Sequence, residues 1–299
     1  MGCGALSWYP AMRKDPIRLL IQVGVYVVLF IVAFVIAAFP FVWVGGPLLG
    51  STCATLAAGI AANWLTMRIY EDRHMVEVGL RWNLLSRVNL LWGLLGGVLS
   101  ACLVLVPPLL VRAAHFVPVS SDHGSFPYLL GLLAIGAAGE ELCFRGYAFQ
   151  RLLATLGPTA TILPIGVIFA FMHESNPNAN WFGLANTAGF GVLFGYAFLR
   201  SRDLWLPIGL HFGWNLTLPL FGVNLSGLRM NVTGYEMSWT AGDLWSGGAY
   251  GPEASVLASL VLLALFYFVW KAPIRRQSSP LTDPPAESAK CEPLPPLPS

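Results

Sequence analysis

Long stretches of this chain run without a polar interruption, and their lengths predict its architecture. A helix needs about 20 apolar residues to cross a hydrocarbon layer ~30 Å thick. Eight stretches meet or approach that requirement: roughly 18–39, 46–67, 88–111, 127–149, 158–175, 181–199, 205–221 and 254–270. The second is softened by small residues, and the seventh is short and bracketed by Pro207 and Pro219. The pattern predicts an all-α, polytopic membrane helix bundle of about eight transmembrane helices. Residues 1–16 form a cytoplasmic N-terminal segment and 17–271 the bundle. Residues 272–299 read as a disordered cytoplasmic tail, because a stretch so rich in Pro and Ser cannot bury enough apolar surface to order itself.

Composition agrees with the pattern. Of 299 residues, 56% are hydrophobic and only 11% charged, where soluble domains run near a quarter charged. The basic residues are unevenly placed. Of the 17 lysines and arginines, only Arg112 and Arg229 fall on the far side of the eight-span arrangement. The other 15 share the side of the N-terminus, so the positive-inside rule puts both termini in the cytoplasm. No basic patch interleaved with aromatics supports nucleic-acid binding. The five cysteines, Cys3, Cys53, Cys102, Cys143 and Cys291, form no C-x-x-C pair and no metal spacing. The start Met1-Gly2-Cys3-Gly4 hints at acylation, but Leu6 stands where the myristoylation pattern wants Ser or Thr. The first apolar run exceeds a signal-peptide core and reads as a retained helix.

Ionisable residues inside a membrane helix cost ~2.5–3.5 kcal/mol each on insertion scales and point to function. The spans are nearly free of them until the fourth, which carries Glu140, Glu141 and Arg145. The fifth ends with His173 and Glu174, and the seventh carries His211 and Asn215. Glu141 and Arg145 are i,i+4 and can neutralise each other on one face. Glu140 lies about 100° round the helix and is left free for chemistry, unless it is a second acid sharing Arg145. Phe169 and His173 are also i,i+4, which puts a ring beside the imidazole; His173 could equally be a satisfied histidine at a helix end. His211 and Asn215 share a face, where they could glue helices, hold a carbonyl oxygen or bind a metal.

One carboxylate, two imidazoles and one amide thus come from three helices. A hydrolytic site needs that set: a base for water and donors for an oxyanion. A Glu with two His can also bind zinc, although H-E-x-x-H is absent. The same residues could form the relay of a transporter or proton-coupled channel. By these spans Glu140 lies toward the cytoplasmic half of the fourth helix and His173 near the outer end of the fifth. Their depths differ by about 10 Å, so the fifth helix must start deep, tilt or be short if the two are to meet.

At these residues the chain resembles the CPBP family of intramembrane proteases, which includes the CAAX prenyl proteases. The family motifs E-E-x-x-x-R, F-x-x-x-H and H-x-x-x-N stand here as Glu140-Glu141 with Arg145, Phe169 with His173, and His211 with Asn215, in the family's order. The resemblance extends to Asn176-Pro177-Asn178 and to Leu204–Leu210, and covers roughly 85–270, with the catalytic helices at about 127–221. It implies an endopeptidase of a multi-pass bacterial cell-membrane protein. Its substrate would be a peptide or lipidated protein in the bilayer, entering from the cytoplasmic side. It implies that Glu140 and His173 activate water while His211 and Asn215 stabilise the oxyanion, with Glu141, Arg145 and Phe169 in support. A metal-free mechanism is preferred; the alternative is a zinc ion on Glu140, His173 and His211. A non-catalytic scaffold or bacteriocin-immunity protein of the same fold is the other outcome.

Overall fold

The computed structural model describes residues 15–119 and 124–283. The acylation pattern at Met1–Gly4, most of the N-terminal segment and the tail from 284 lie outside these residues. In chain order the elements are α1 (Pro16–Thr66), α2 (Leu84–Leu110), β1 (Ala114–Pro118), α3 (Phe126–Arg145), α4 (Tyr147–Leu156), α5 (Pro158–Phe171), α6 (Trp181–Ser201), α7 (Trp205–Leu220), β2 (Tyr235–Trp239), α8 (Asp243–Ser246) and α9 (Val256–Lys271). The protein is mostly helical, as an all-α bundle requires, with one short ribbon in which β1 and β2 pair antiparallel, Ala114 opposite Trp239 and Pro118 opposite Tyr235. This ribbon ties the α2–α3 link to the long α7–α9 connector. Four helical stretches are long and apolar enough to cross a membrane: Pro16–Glu71, Leu84–Leu110, Phe126–Leu156 and Trp181–Ser201. Two shorter apolar helices, Pro158–Phe171 and Val256–Lys271, accompany them.

The first stretch folds back on itself. Gly46 has φ +74°, outside the helical region, and a Cβ on Gly50 would collide with the backbone of Val42. Tyr26 consequently meets Asn63 (3.3 Å) and Gln22 meets Glu71 (3.5 Å), as in an antiparallel hairpin. The first arm keeps Leu20, Val28, Val35 and Phe39 exposed, a surface that suits lipid. The second arm runs beside α3, with Gly59 against Leu142 and Gly139 against Leu56.

A break at Gly146 separates α3 from α4, and Asn63 supplies the missing partners. Its amide donates to the Leu142 carbonyl (3.0 Å) and its side-chain oxygen accepts from the Tyr147 N–H (2.7 Å). Arg151 then reaches Gln22 and Glu71, so α4 continues in the direction of α3 along the same hairpin. At 1.5 Å per residue, α4 carries the chain ~15 Å further and the short α5 returns ~21 Å. That return brings His173 back to the level of Glu140 and removes the depth mismatch noted from the sequence.

Small residues position α7. Gly93 and Gly97 of α2 face Gly209 and Gly213 of α7; a Cβ on Gly97 would collide with the Leu210 carbonyl oxygen, and one on Gly209 would crowd that of Leu90. Such close backbone approach is the packing that bundles in lipid exploit. His211 and Asn215 each lie two residues, ~200°, from a glycine of this stripe, and so face the opposite way, into the bundle. Gly97→Leu is expected to push α7 away, lowering stability in detergent by roughly 1–3 kcal/mol. A thermal unfolding midpoint unchanged from wild type would contradict this packing role.

Residues 272–283, the described part of the Pro- and Ser-rich tail, make contacts with the bundle. The Arg275 N–H donates to Asn89 (2.8 Å), the Gln277 N–H to the Ser201 carbonyl (2.8 Å), and Leu281 is buried.

Candidate active site

Glu140 projects from the last turns of α3 into a cavity of ≈ 140 Å³. The same cavity is lined by His173 from the turn after α5, by His211 and Asn215 from α7, and by Phe169 from α5. The four polar residues singled out from the sequence therefore meet. Glu140 Oε2 lies 3.9 Å from His173 Nε2 and 3.9 Å from His211 Nε2. Both separations exceed a direct hydrogen bond, and this oxygen is buried without a protein partner. The side chain as a whole is still 32% exposed. Glu140 does not share Arg145, whose carboxylate partner among the described residues is Glu141.

The other ring nitrogen of each histidine is committed. His173 falls just beyond α5, where the turn 172–180 begins. Its Nδ1 lies 2.8 Å from the Phe169 carbonyl oxygen. A carbonyl only accepts, so Nδ1 carries the hydrogen and caps one of the helix's orphan acceptors. This leaves Nε2 as the ring nitrogen that faces Glu140. His211 Nδ1 lies 3.0 Å from Glu141 Oε1, and this oxygen also accepts from Arg145 Nη1 at 3.2 Å. Glu141 thus joins Arg145 to His211, a link that i,i+4 spacing alone did not reveal.

Glu141 and Arg145 are fully buried. The guanidinium also donates to the Gly191 carbonyl (2.8 Å) and sits 5.0–5.6 Å from the ring centres of Phe144, Phe169 and Phe194. Cation–π contact of this kind partly replaces lost hydration. Phe169 does more than shield one ring: its centroid is 4.7 Å from His173 and 6.0 Å from His211. Phe194 stacks on His211 at 4.9 Å.

A tetrahedral zinc with ligands 2.0–2.2 Å away holds those ligand atoms about 3.4 Å apart. The two separations here are 3.9 Å, so Glu140, His173 and His211 as arranged do not fit such an ion. Among the described residues no group of three or more His, Cys, Asp or Glu side chains is arranged to hold a metal.

Of the far wall of the cavity, the sequence singled out only Asn176, through the family resemblance. Asn176, Thr187, Trp214, Ser226 and Glu253 line it. Asn176, Thr187 and Trp214 come from the turn after α5, from α6 and from α7, and the connector bends in to add Ser226 and Glu253: Gly227, at φ +81°, lies where a Cβ would collide with the Pro177 carbonyl. Glu253 accepts from Trp214 Nε1 (3.2 Å), from the Ser226 hydroxyl (2.8 Å) and from the Ser226 N–H. Burial pushes its carboxyl above the ordinary value, while these donors and the nearby His173 pull the other way. The only sequence signal was an acid two residues before the Ser255 N-cap of the last apolar run, a place where loop acids are ordinary.

Residues 122–217, about a third of the chain, match the family described as Type II CAAX prenyl endopeptidase Rce1-like. The matched stretch begins before α3 and ends in α7, so it contains Glu140, Glu141, Arg145, Phe169, His173, His211 and Asn215. It agrees with the CAAX protease resemblance carried by the three motifs, and with a membrane protease at the level of the family. No curated protein matches the chain.

Proposed function

We propose that this protein is an intramembrane endopeptidase that hydrolyses a peptide bond in a membrane-associated or prenylated peptide, using Glu140 and His173 to activate water. The observation that carries it is one carboxylate oxygen facing two imidazole nitrogens, each at 3.9 Å. A water ~2.8 Å from both ends of such a pair is geometrically allowed. It would donate one hydrogen to Glu140 Oε2 and the other to the His173 Nε2 lone pair, leaving its own lone pair for the carbonyl carbon.

Attack forms the C–O bond as Glu140 takes the proton. The carbonyl oxygen becomes an oxyanion, which His211 and Asn215 face from α7. With Nδ1–H on Glu141, His211 has an Nε2–H to give only as the imidazolium, with Glu141 as counter-ion. The proton held by Glu140 then passes to the amide nitrogen as the C–N bond breaks. No step passes through a metal.

The proposed topology keeps eight crossings with both termini cytoplasmic. In that frame the cavity extends from Glu140 past Gly136 and Leu132 toward Leu48, Asn176 and the connector. That is the end opposite the clustered arginines, so the peptide enters from there and not from the cytoplasmic side. Purified protein in detergent is expected to cut a membrane-spanning test peptide at an undiminished rate in excess zinc chelator. Activity lost to chelation and restored by added metal would refute the metal-free chemistry. Ion flux through liposomes with no peptide cut would favour a transporter instead.

A further inference from the structure

Glu253 sits on the cavity wall formed by the connector, across from the α3 wall that carries Glu140. These two are the acidic residues among the cavity's lining, and no lysine or arginine lines it. Glu253 is buried, and no Lys or Arg among the described residues pairs with it. All three of its hydrogen bonds come from donors, the Trp214 indole and the Ser226 hydroxyl and N–H. These are bonds that a carboxylate accepts, and they partly offset the burial that acts against its charge. Those donors also hold it rigidly, since Trp214 belongs to α7 one turn beyond His211. A fixed buried carboxylate without a cation is costly for folding, and it stands where a bound peptide would pass.

We propose that Glu253 is a specificity-determining residue that receives a cationic side chain, lysine or arginine, of the peptide whose scissile bond lies against Glu140. The inference rests on the endopeptidase reading for its substrate, and it assigns the site to a basic peptide position. Ser226 and Trp214 act through Glu253 as positioning residues. Cation recognition by a buried carboxylate gives charge discrimination that a rim contact would not.

The test separates binding from cleavage. Short apolar peptides carrying one lysine at successive positions, and their norleucine twins, are titrated in micelles against the Glu140→Ala protein. At one position the lysine peptide is expected to bind about tenfold tighter than its twin. Adding Glu253→Gln, which keeps an acceptor for Ser226, is expected to erase that difference and leave the norleucine affinity unchanged. Glu253→Asp, which keeps the charge, is expected to retain it. A lysine preference found at no position overturns the inference, whatever the variants do; so does one that survives Glu253→Gln. Failure of the wild type to cut any of these peptides would sink the endopeptidase reading, while the titration would still decide whether Glu253 binds a cation.

Discussion

Glu140→Ala is expected to lower kcat/KM for peptide cleavage by about 10³-fold or more, with no loss of thermal stability. General-base catalysis contributes about 10²–10⁴-fold, and the neighbouring carboxylates are engaged elsewhere: Glu141 by Arg145 and His211, and Glu253 by Trp214 and Ser226. The stability half of the expectation follows from what Glu140 does not do. Its buried Oε2 has no hydrogen-bond partner among the described residues, so truncation breaks no bond there and removes an unpaired, partly buried carboxylate oxygen. A neutral or slightly raised unfolding midpoint beside lost activity is the signature of a group kept for chemistry. Cleavage at the wild-type rate would remove Glu140 from the mechanism. A collapsed midpoint would make it a structural residue.

Much of this arrangement was legible because lipid imposes simple rules. Apolar runs must be helical, so α2, α6, α7 and α9 could be placed within a few residues. Helical spacing correctly paired Glu141 with Arg145, and polar residues stranded in apolar runs led to the cavity. The hairpin at Gly46 separates the first two predicted spans. The kink at Gly146 was invisible, because the apolar pattern runs through it and Asn63, far away in sequence, supplies the partners. For that reason the depths of Glu140 and His173 looked mismatched.

The rest was hidden by contacts that have no local period. The strand-forming segments 114–118 and 235–239 lie in links between spans, and each becomes a strand only by pairing with the other. Glu253 reaches the cavity because the connector folds inward, and that path depends on Gly227 packing against the Pro177 carbonyl. Leu281 and Gln277 sit in a stretch whose composition argues for disorder, and composition averages away a single anchor.

Arg145→Ala is expected to be the most destabilising single change in the site, by about 3–5 kcal/mol. The guanidinium is fully buried, bonds Glu141 and the Gly191 carbonyl, and fills the space among Phe144, Phe169 and Phe194. Its removal opens a cavity, frees a buried carbonyl and leaves Glu141 with His211 as its sole hydrogen-bonding partner. Breaking a buried pair is worse than replacing it, because the remaining charge is stranded. The double variant Arg145→Met with Glu141→Gln should therefore recover part of the loss, the methionine filling space among the rings. It should not recover activity, because an amide at 141 cannot serve as the counter-ion of a protonated His211. Unfolding midpoints in one detergent decide the matter: Arg145→Ala close to wild type, or the double variant less stable than the single, would show that the pair is not what secures α3 against α6 and α7.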